Sequence, residues 1–209
     1  MYIPRSFEMD TSMIPEFVRC HPFGQLLVAD NELVRVGLAP FILDQEGDSH
    51  SLVGHVARAS ELARTLKSGQ AASIFLLGPH AYVSPRNYVS GGLVPTWNYR
   101  ALLAEGTLNV IEDHARLRQI LEETTRAAEG PQPGAWRPDW SDPAMTNLLD
   151  AIVGVQLRVQ RWSGKEKLSQ NRGDTDYTKL KENFAASHSE AERELAAAMP
   201  PRREPAPGE

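Results

Sequence analysis

Cysteine is almost missing from this sequence: Cys20 is the only one in 209 residues. No disulfide can form within the chain, which excludes a stapled secreted scaffold and fits a reducing compartment. Positive charge is in deficit as well. The 22 Lys and Arg against 27 Asp and Glu leave a net charge of −5, with a pI near 5.7. That balance excludes a broad basic field for nonspecific nucleic-acid binding. No apolar run approaches membrane-spanning length, and Met1-Tyr-Ile-Pro-Arg5 lacks the basic-then-apolar layout of a signal peptide. A cytoplasmic protein without a membrane partner is expected. Internal repeats are absent. No second His, Cys or carboxylate sits near His80 at zinc spacing. Ser84 precedes Pro85 instead of standing in a Gly-flanked elbow, and no recognition-helix signature is present.

What the chain does have is enough apolar material for a core, with 41% hydrophobic residues. Asp10 to Cys20 reads as a short helix with Ile14, Phe17 and Val18 on one face and Cys20 as a small buried group. Strands follow over Phe23 to Ala29 and, after an Asp30-Asn31 turn, Glu32 to Leu43, with a break at Gly37 and Pro40. Gln45 to His50 reads as a polar turn and Ser51 to Val56 as a strand. Arg58 to Ser68 looks helical, with Gly69 as its stop, and Ala71 to Leu77 reads as a buried strand. Trp97 to Ile111 alternates around Gly106 as two strands or one bent strand. Asp113 caps a helix to about Glu129, closed by Gly130, and Asp142-Pro143 starts another. Val153 to Arg161 alternates as a clear strand. Lys165 to Arg172 is a polar connector, and a charged helix spans roughly Tyr177 to Met199. Five to seven strands without regular βαβ alternation predict an α+β fold on an antiparallel barrel with flanking helices. The expected layout is a main domain over 1–175, a helical extension over 176–199 and a tail over 200–209.

Four stretches could carry chemistry. Gly54-His-Val-Ala-Arg-Ala-Ser60 runs from a strand end towards a helix, where Arg58 and Ser60 could meet a phosphate. The plain alternatives are a surface ion pair for Arg58 and a satisfied strand histidine for His55. Gly78-Pro-His-Ala-Tyr-Val-Ser-Pro85 mixes an imidazole, a phenol and a hydroxyl. If extended, it places His80, Tyr82 and Ser84 on one face. Its Pro and Gly argue against a regular core element. In Thr96-Trp-Asn-Tyr99, Trp97 could stack on a flat ring while Asn98 reads ring carbonyl and N–H groups, or Trp97 could simply be core. In Lys165-Glu-Lys-Leu-Ser-Gln-Asn-Arg172, Lys167, Ser169, Gln170 and Asn171 could hold a phosphate and a polar ring edge, with a basic surface turn as the alternative.

These stretches, together with Met1-Tyr-Ile-Pro-Arg5 and His21-Pro-Phe23, occur in an order that resembles the PaiB family of FMN-binding negative transcriptional regulators, over roughly residues 1 to 175. The resemblance implies a split β-barrel related to pyridoxamine-phosphate oxidases, working as a homodimer with FMN sites at the subunit interface. It implies that His55, Arg58, Ala59 and Ser60 lie near the cofactor phosphate, with Arg58 as its cation. Thr96, Trp97, Asn98 and Tyr99 would approach the ring system, and Lys167, Ser169, Gln170 and Asn171 would close the site. His80, Tyr82 and Ser84 complete the candidate set. Two departures stand out. The family follows Ala59 with Asn-Pro and then a Trp, whereas this chain reads Ser60-Glu-Leu-Ala. The segment between Tyr88 and Val94 is short.

Three functions follow from the resemblance. One is a flavin-dependent oxidoreductase or sensor with an indirect regulatory role, in which the cofactor supplies the chemistry. A second is a haem b enzyme of the piperazate-synthase kind, with His55 or His80 as the axial ligand. The third is a negative transcriptional regulator, for which direct DNA binding is not expected.

Overall fold

A computed structural model of the chain describes residues 1–30, 33–46 and 49–201. Six antiparallel strands are hydrogen-bonded in the order β1-β2-β3-β6-β5-β4 and close into a barrel. They are β1 (Phe23–Asp30), β2 (Leu33–Glu46), β3 (Ser49–Ala57), β4 (Ala71–Val83), β5 (Thr96–Ile111) and β6 (Ile152–Lys167). The helices are α1 (Ile14–Cys20), α2 (Glu61–Thr65), α3 (His114–Glu129), α4 (Pro143–Asn147), α5 (Asp174–Ala185) and α6 (Glu190–Ala198). The antiparallel barrel with flanking helices is thus the architecture expected from the alternation and turn signals. Among the described residues, no helix is long and apolar enough to cross a membrane.

The chain divides into two units. The larger comprises Thr11–Leu76 and Leu102–Ser163, the smaller Met1–Asp10, Leu77–Ala101 and Gly164–Glu209.

The barrel interior of the larger unit is built from alternate strand positions, as the two-residue period of a strand requires. Leu26, Val28, Phe41, Leu52, Ile74, Leu76, Leu102, Leu108, Val155 and Leu157 are all buried. Strands β1 and β2 pair from Phe23 opposite Pro40 to Asp30 opposite Leu33. The expected break at Gly37 and Pro40 is therefore absent. Gly37 stays in the strand because its bare Cα faces Leu62: a Cβ there would meet Leu62 Cδ2 at 2.3 Å. The Asp30-Asn31 and Gln45 to His50 turns fall partly outside the described residues. Strand β5 is likewise a single run through Gly106, where a Cβ would lie 2.0 Å from the Arg158 carbonyl oxygen.

Helix α3 runs as its caps dictate. The Asp113 side chain accepts the Arg116 N–H at 2.8 Å, and Gly130, at φ +70°, receives the chain after Glu129. Leu117 and Ile120 are its buried residues. The helix expected over Arg58 to Ser68 shrinks to α2, five residues capped by Ser60. Leu62 is its single buried residue, so there is little apolar gain to extend it. Cys20 is exposed, not buried, and sits 3.2 Å from a Glu16 carboxylate oxygen.

In the smaller unit, α5 and α6 replace the single helix expected over Tyr177 to Met199, with 186–189 between them. They share a core of Ala81, Val83, Tyr88, Leu168, Tyr177, Leu180, Phe184, Leu195 and Met199. Two antiparallel short helices bury both apolar stripes, which one straight helix could not. The Asp176 carboxylate, in the first turn of α5, accepts the backbone N–H groups of Val89 and Ser90 at 2.7 and 2.9 Å. These two bonds hold the segment after Tyr88 to the helix.

Candidate functional site

Strand β4 does not stop at Leu77. It continues through Gly78, Pro79 and His80 to Val83, so the mixed polar stretch is strand and not loop. Its buried positions run 72, 74, 76, 78 and then 81, 83. The inward phase slips by one residue at Pro79-His80, where proline has no N–H to give a ladder. After the slip, His80 and Tyr82 point outward. The Trp97 indole joins them, with ring centroids 6.4 Å from His80 and 6.1 Å from Tyr82. Tyr82 and Trp97 are 47% and 53% exposed, so Trp97 is a surface platform and not core. The His80 ring is anchored through Nδ1 to the Gly78 carbonyl oxygen at 3.0 Å. In the tautomer that donates there, Nε2 keeps its lone pair. Ser84 is separate from this platform. Its hydroxyl caps the Pro85–Asn87 turn by accepting the Arg86 N–H.

Strand β6 runs on to Lys167, six residues past the end expected from alternation at Arg161. That extension puts Lys165 and Lys167 on one face. Lys167 donates from Nζ to the Thr96 hydroxyl. Burial, then the charges of Lys165 and Arg172, hold its pKa below the usual lysine value. Among the described residues no carboxylate pairs with Lys167. Lys165 is buried, bonds the Tyr2 carbonyl oxygen at 3.0 Å, and lies 5.5 Å from the Tyr99 ring centroid. Arg172 stacks 5.2 Å above Tyr88. Asn98 is fully buried. Its Nδ2 donates to the Ser169 hydroxyl at 2.8 Å, while Oδ1 has no hydrogen-bond partner. Ser169 stands in the left-handed region at φ +61°, an uncommon conformation for a residue with a Cβ. Gln170 is absorbed locally, accepting the Leu168 N–H and donating to the Glu166 carbonyl. Asn171 is exposed.

The smaller unit therefore gathers Thr96, Asn98, Tyr99, Lys167 and Ser169, with His80, Tyr82 and Trp97 as an aromatic group. Sequence reasoning overlooked Lys165, because past Arg161 strand β6 carries no apolar alternation to mark it. The set suits a flat, electron-poor heterocycle with polar edges: an indole face, an amide oxygen seeking a donor, and an ammonium with no counter-charge among the described residues.

In the larger unit, His55 lies on β3 with Nδ1 buried and unpartnered, and burial holds its pKa below the ordinary histidine value. Arg58 is in the ion pair anticipated as its plain alternative. Nη1 meets Glu112 at 2.8 Å and Nε donates to the Asp150 carbonyl at 2.9 Å. The Ser60 hydroxyl is engaged in capping, accepting the Ala63 N–H at 3.1 Å. The Ala59 carbonyl accepts from Arg64. Among the described residues, no group of three or more His, Cys, Asp or Glu side chains could hold a metal ion.

A family model described as "Putative FMN-binding domain" matches residues 1–161. The protein of Bacillus subtilis named protease synthase and sporulation protein PAI 2 is 28% identical over 204 residues, covering 95% of this chain and 96% of that protein. Among solved structures, the FAD and heme binding protein from Mycobacterium smegmatis aligns with a TM-score of 0.59 and 18% identity, over 83% of this chain and 80% of that one. The flavocytochrome Anf3 from Azotobacter vinelandii aligns with a TM-score of 0.58 and 18% identity, over 85% and 78% of the two chains. The fold is the split barrel of these proteins, and the chain belongs to the PaiB-type family of FMN-binding proteins.

Proposed function

We propose that the protein binds FMN and uses it either as an oxidoreductase or as a flavin-dependent sensor with an indirect regulatory effect. The observation that carries this reading is Lys167, an ammonium beside two further cations and without a carboxylate partner among the described residues. A cation so placed suits the part of a flavin that gains negative charge on reduction. Asn98 Oδ1, which has no partner, would accept from the ring's N–H, and Trp97 would meet its face. When bound, the cofactor supplies electron or hydride transfer; the chain's side chains hold and orient it. The names of the Mycobacterium smegmatis and Azotobacter vinelandii proteins, both of this fold, support a flavin. The resemblance adds a homodimer, for which an apolar outer row on β2 speaks: Val34, Val36 and Leu38 are 61%, 53% and 62% exposed. Such a row on a barrel exterior marks an interaction face.

One observation favours haem as a second reading. The His80 Nδ1 bond to Gly78 is the kind of second contact that orients an axial imidazole and leaves Nε2 for iron. The absorption spectrum of the purified protein, before and after incubation with FMN and with haem, separates the readings. Two flavin bands with quenched fluorescence are expected. A single intense Soret band that His80→Ala abolishes would transfer the assignment to haem. A protein that takes up neither cofactor would overturn both.

A further inference from the structure

The N-terminal segment Met1–Asp10 reaches the ring site from within the same, smaller unit. Its base is fixed to β6. Glu8 forms an antiparallel bridge with Lys165, and the Met9 N–H donates to the Gly164 carbonyl at 3.0 Å. Met9 is buried there because Gly164 makes room: a Cβ at Gly164 would lie 2.7 Å from Met9 Cβ. A turn over Arg5–Phe7, closed by the Phe7 N–H on the Pro4 carbonyl at 2.8 Å, leads back to Tyr2. The Tyr2 carbonyl accepts the Lys165 ammonium at 3.0 Å. That ammonium lies 5.9 Å from the Tyr2 ring centroid and 5.5 Å from that of Tyr99.

Lys165 is only 9% exposed. Among the described residues its hydrogen-bond acceptor is the Tyr2 carbonyl, it has no ion pair, and the neighbouring Glu166 is spent on Arg100 at 2.6 Å. A buried, unpaired charge is expensive to keep, and one carbonyl with two ring faces offsets only part of that cost. Lys165 shares a face of β6 with Lys167. Burial, followed by the Lys165 charge, holds the Lys167 pKa down. Two ammonium groups side by side, neither matched by a carboxylate among the described residues, leave a positive field beside Tyr99 and Thr96. A ring that gains negative charge lowers the cost of both.

We propose that Met1–Asp10 is a strap of the ring site: Tyr2 is a positioning residue that holds the Lys165 ammonium in place, and Lys165 is a second cation, with Lys167, that favours the reduced and negatively charged form of the flavin. The inference rests on the flavin reading above, and it gives the strap control over the cofactor's reduction potential. With the strap lifted, Lys165 loses its acceptor and one ring face. Water then reaches both ammonium groups and screens their field at the ring.

The test measures the reduction potential of bound FMN against a reference dye for the wild type, Lys165→Met, Tyr2→Ala and Tyr2→Phe, with FMN affinity by fluorescence quenching and Tm alongside. Methionine keeps the apolar stem of Lys165 without its charge, and Tyr2 is exposed, so the variants keep their fold. Lys165→Met should bind FMN but shift its reduced-to-oxidised ratio at a fixed potential about tenfold or more towards oxidised, about 30 mV for a two-electron couple. Tyr2→Ala should shift it the same way by a smaller factor. Tyr2→Phe, which keeps both carbonyl and ring, should restore the wild-type value. Loss of a merely structural contact would lower Tm and leave the potential where it was. Wild-type potentials in Lys165→Met and Tyr2→Ala therefore overturn the proposal, and a shift in Lys165→Met alone overturns the part given to the strap. The flavin reading fails separately, and this proposal with it, if the wild type takes up no FMN.

Discussion

Replacing Gly54 by alanine tests the pairing of β2 with β3 where the barrel allows least room. Gly54 lies opposite Phe41. A Cβ at this position would sit 2.5 Å from the Pro40 carbonyl oxygen and 2.9 Å from Phe41 Cδ1. The oxygen belongs to backbone paired with Phe23 across the β1–β2 ladder, so it cannot swing away. Overpacking a filled core costs about 1–3 kcal/mol, and a clash with backbone belongs at the upper end, about 3 kcal/mol. For a chain of this size each kcal/mol lowers Tm by about 2–4 °C, which gives a drop of about 6–12 °C. Gly37→Ala makes a contrast. Its closest clash is with the tip of Leu62, and the next nearest atoms, Leu62 Cγ and Val56 Cγ1, are at 3.7 Å. A side-chain tip can rotate, so the loss should be about 1 kcal/mol and should be largely recovered by adding Leu62→Val. Gly91→Ala meets nothing within 4 Å and should stay within about 0.5 kcal/mol of the parent. Thermal and urea unfolding followed by circular dichroism ranks the three. If Gly54→Ala melts together with Gly91→Ala, the register that sets Gly54 against Phe41 is wrong.

Phe184→Ala should cost about 3–5 kcal/mol, since Phe184 is 1% exposed in the core shared by α5, α6 and Tyr88. Hydrogen exchange should then rise in 77–101 and 164–199, and unchanged protection there would contradict that core. His55 titrates below the ordinary value of about 6.5 because burial disfavours its charged form. Its contribution to stability is therefore complete above about pH 6.5 and is lost as pH falls from there towards the depressed folded value. His55→Gln should flatten that loss in urea midpoints measured across the interval, and parallel profiles would rule the mechanism out. Val36→Lys should shift a dimer towards monomer in sedimentation velocity, whereas a wild-type monomer would remove the role given to the exposed β2 row.

Elements marked by local chemistry were legible from the residues. Asp113 and Gly130 bracket α3 at both ends, because an N-cap side chain and a positive-φ glycine act within one turn of themselves. The alternation of Val153, Val155 and Leu157 revealed the start of β6 but not its end. Past Arg161 the inward positions become Gly164 and Lys165, which carry no apolar signal. Gly78, Pro79, Gly37 and Pro40 read as breaks, yet all lie within strands. Hydrogen bonds from neighbouring strands outweigh the weak preference of a single glycine or proline. For the candidate site, the types Trp97, Asn98 and Lys167 were visible, and their grouping was not. Asn98 meets Ser169 across 71 positions, a distance that only strand pairing closes.

The residues by themselves determined the fold class and the family. Those depend on periodicity, capping and motif order, all of which act over short separations. The tertiary structure decided how charges are used. It placed Arg58 against Glu112 and left Lys167 and Lys165 without carboxylate partners among the described residues. Whether a cation is matched depends on which distant carboxylate the fold brings within about 4 Å, and nothing in the order of residues along the chain encodes that directly.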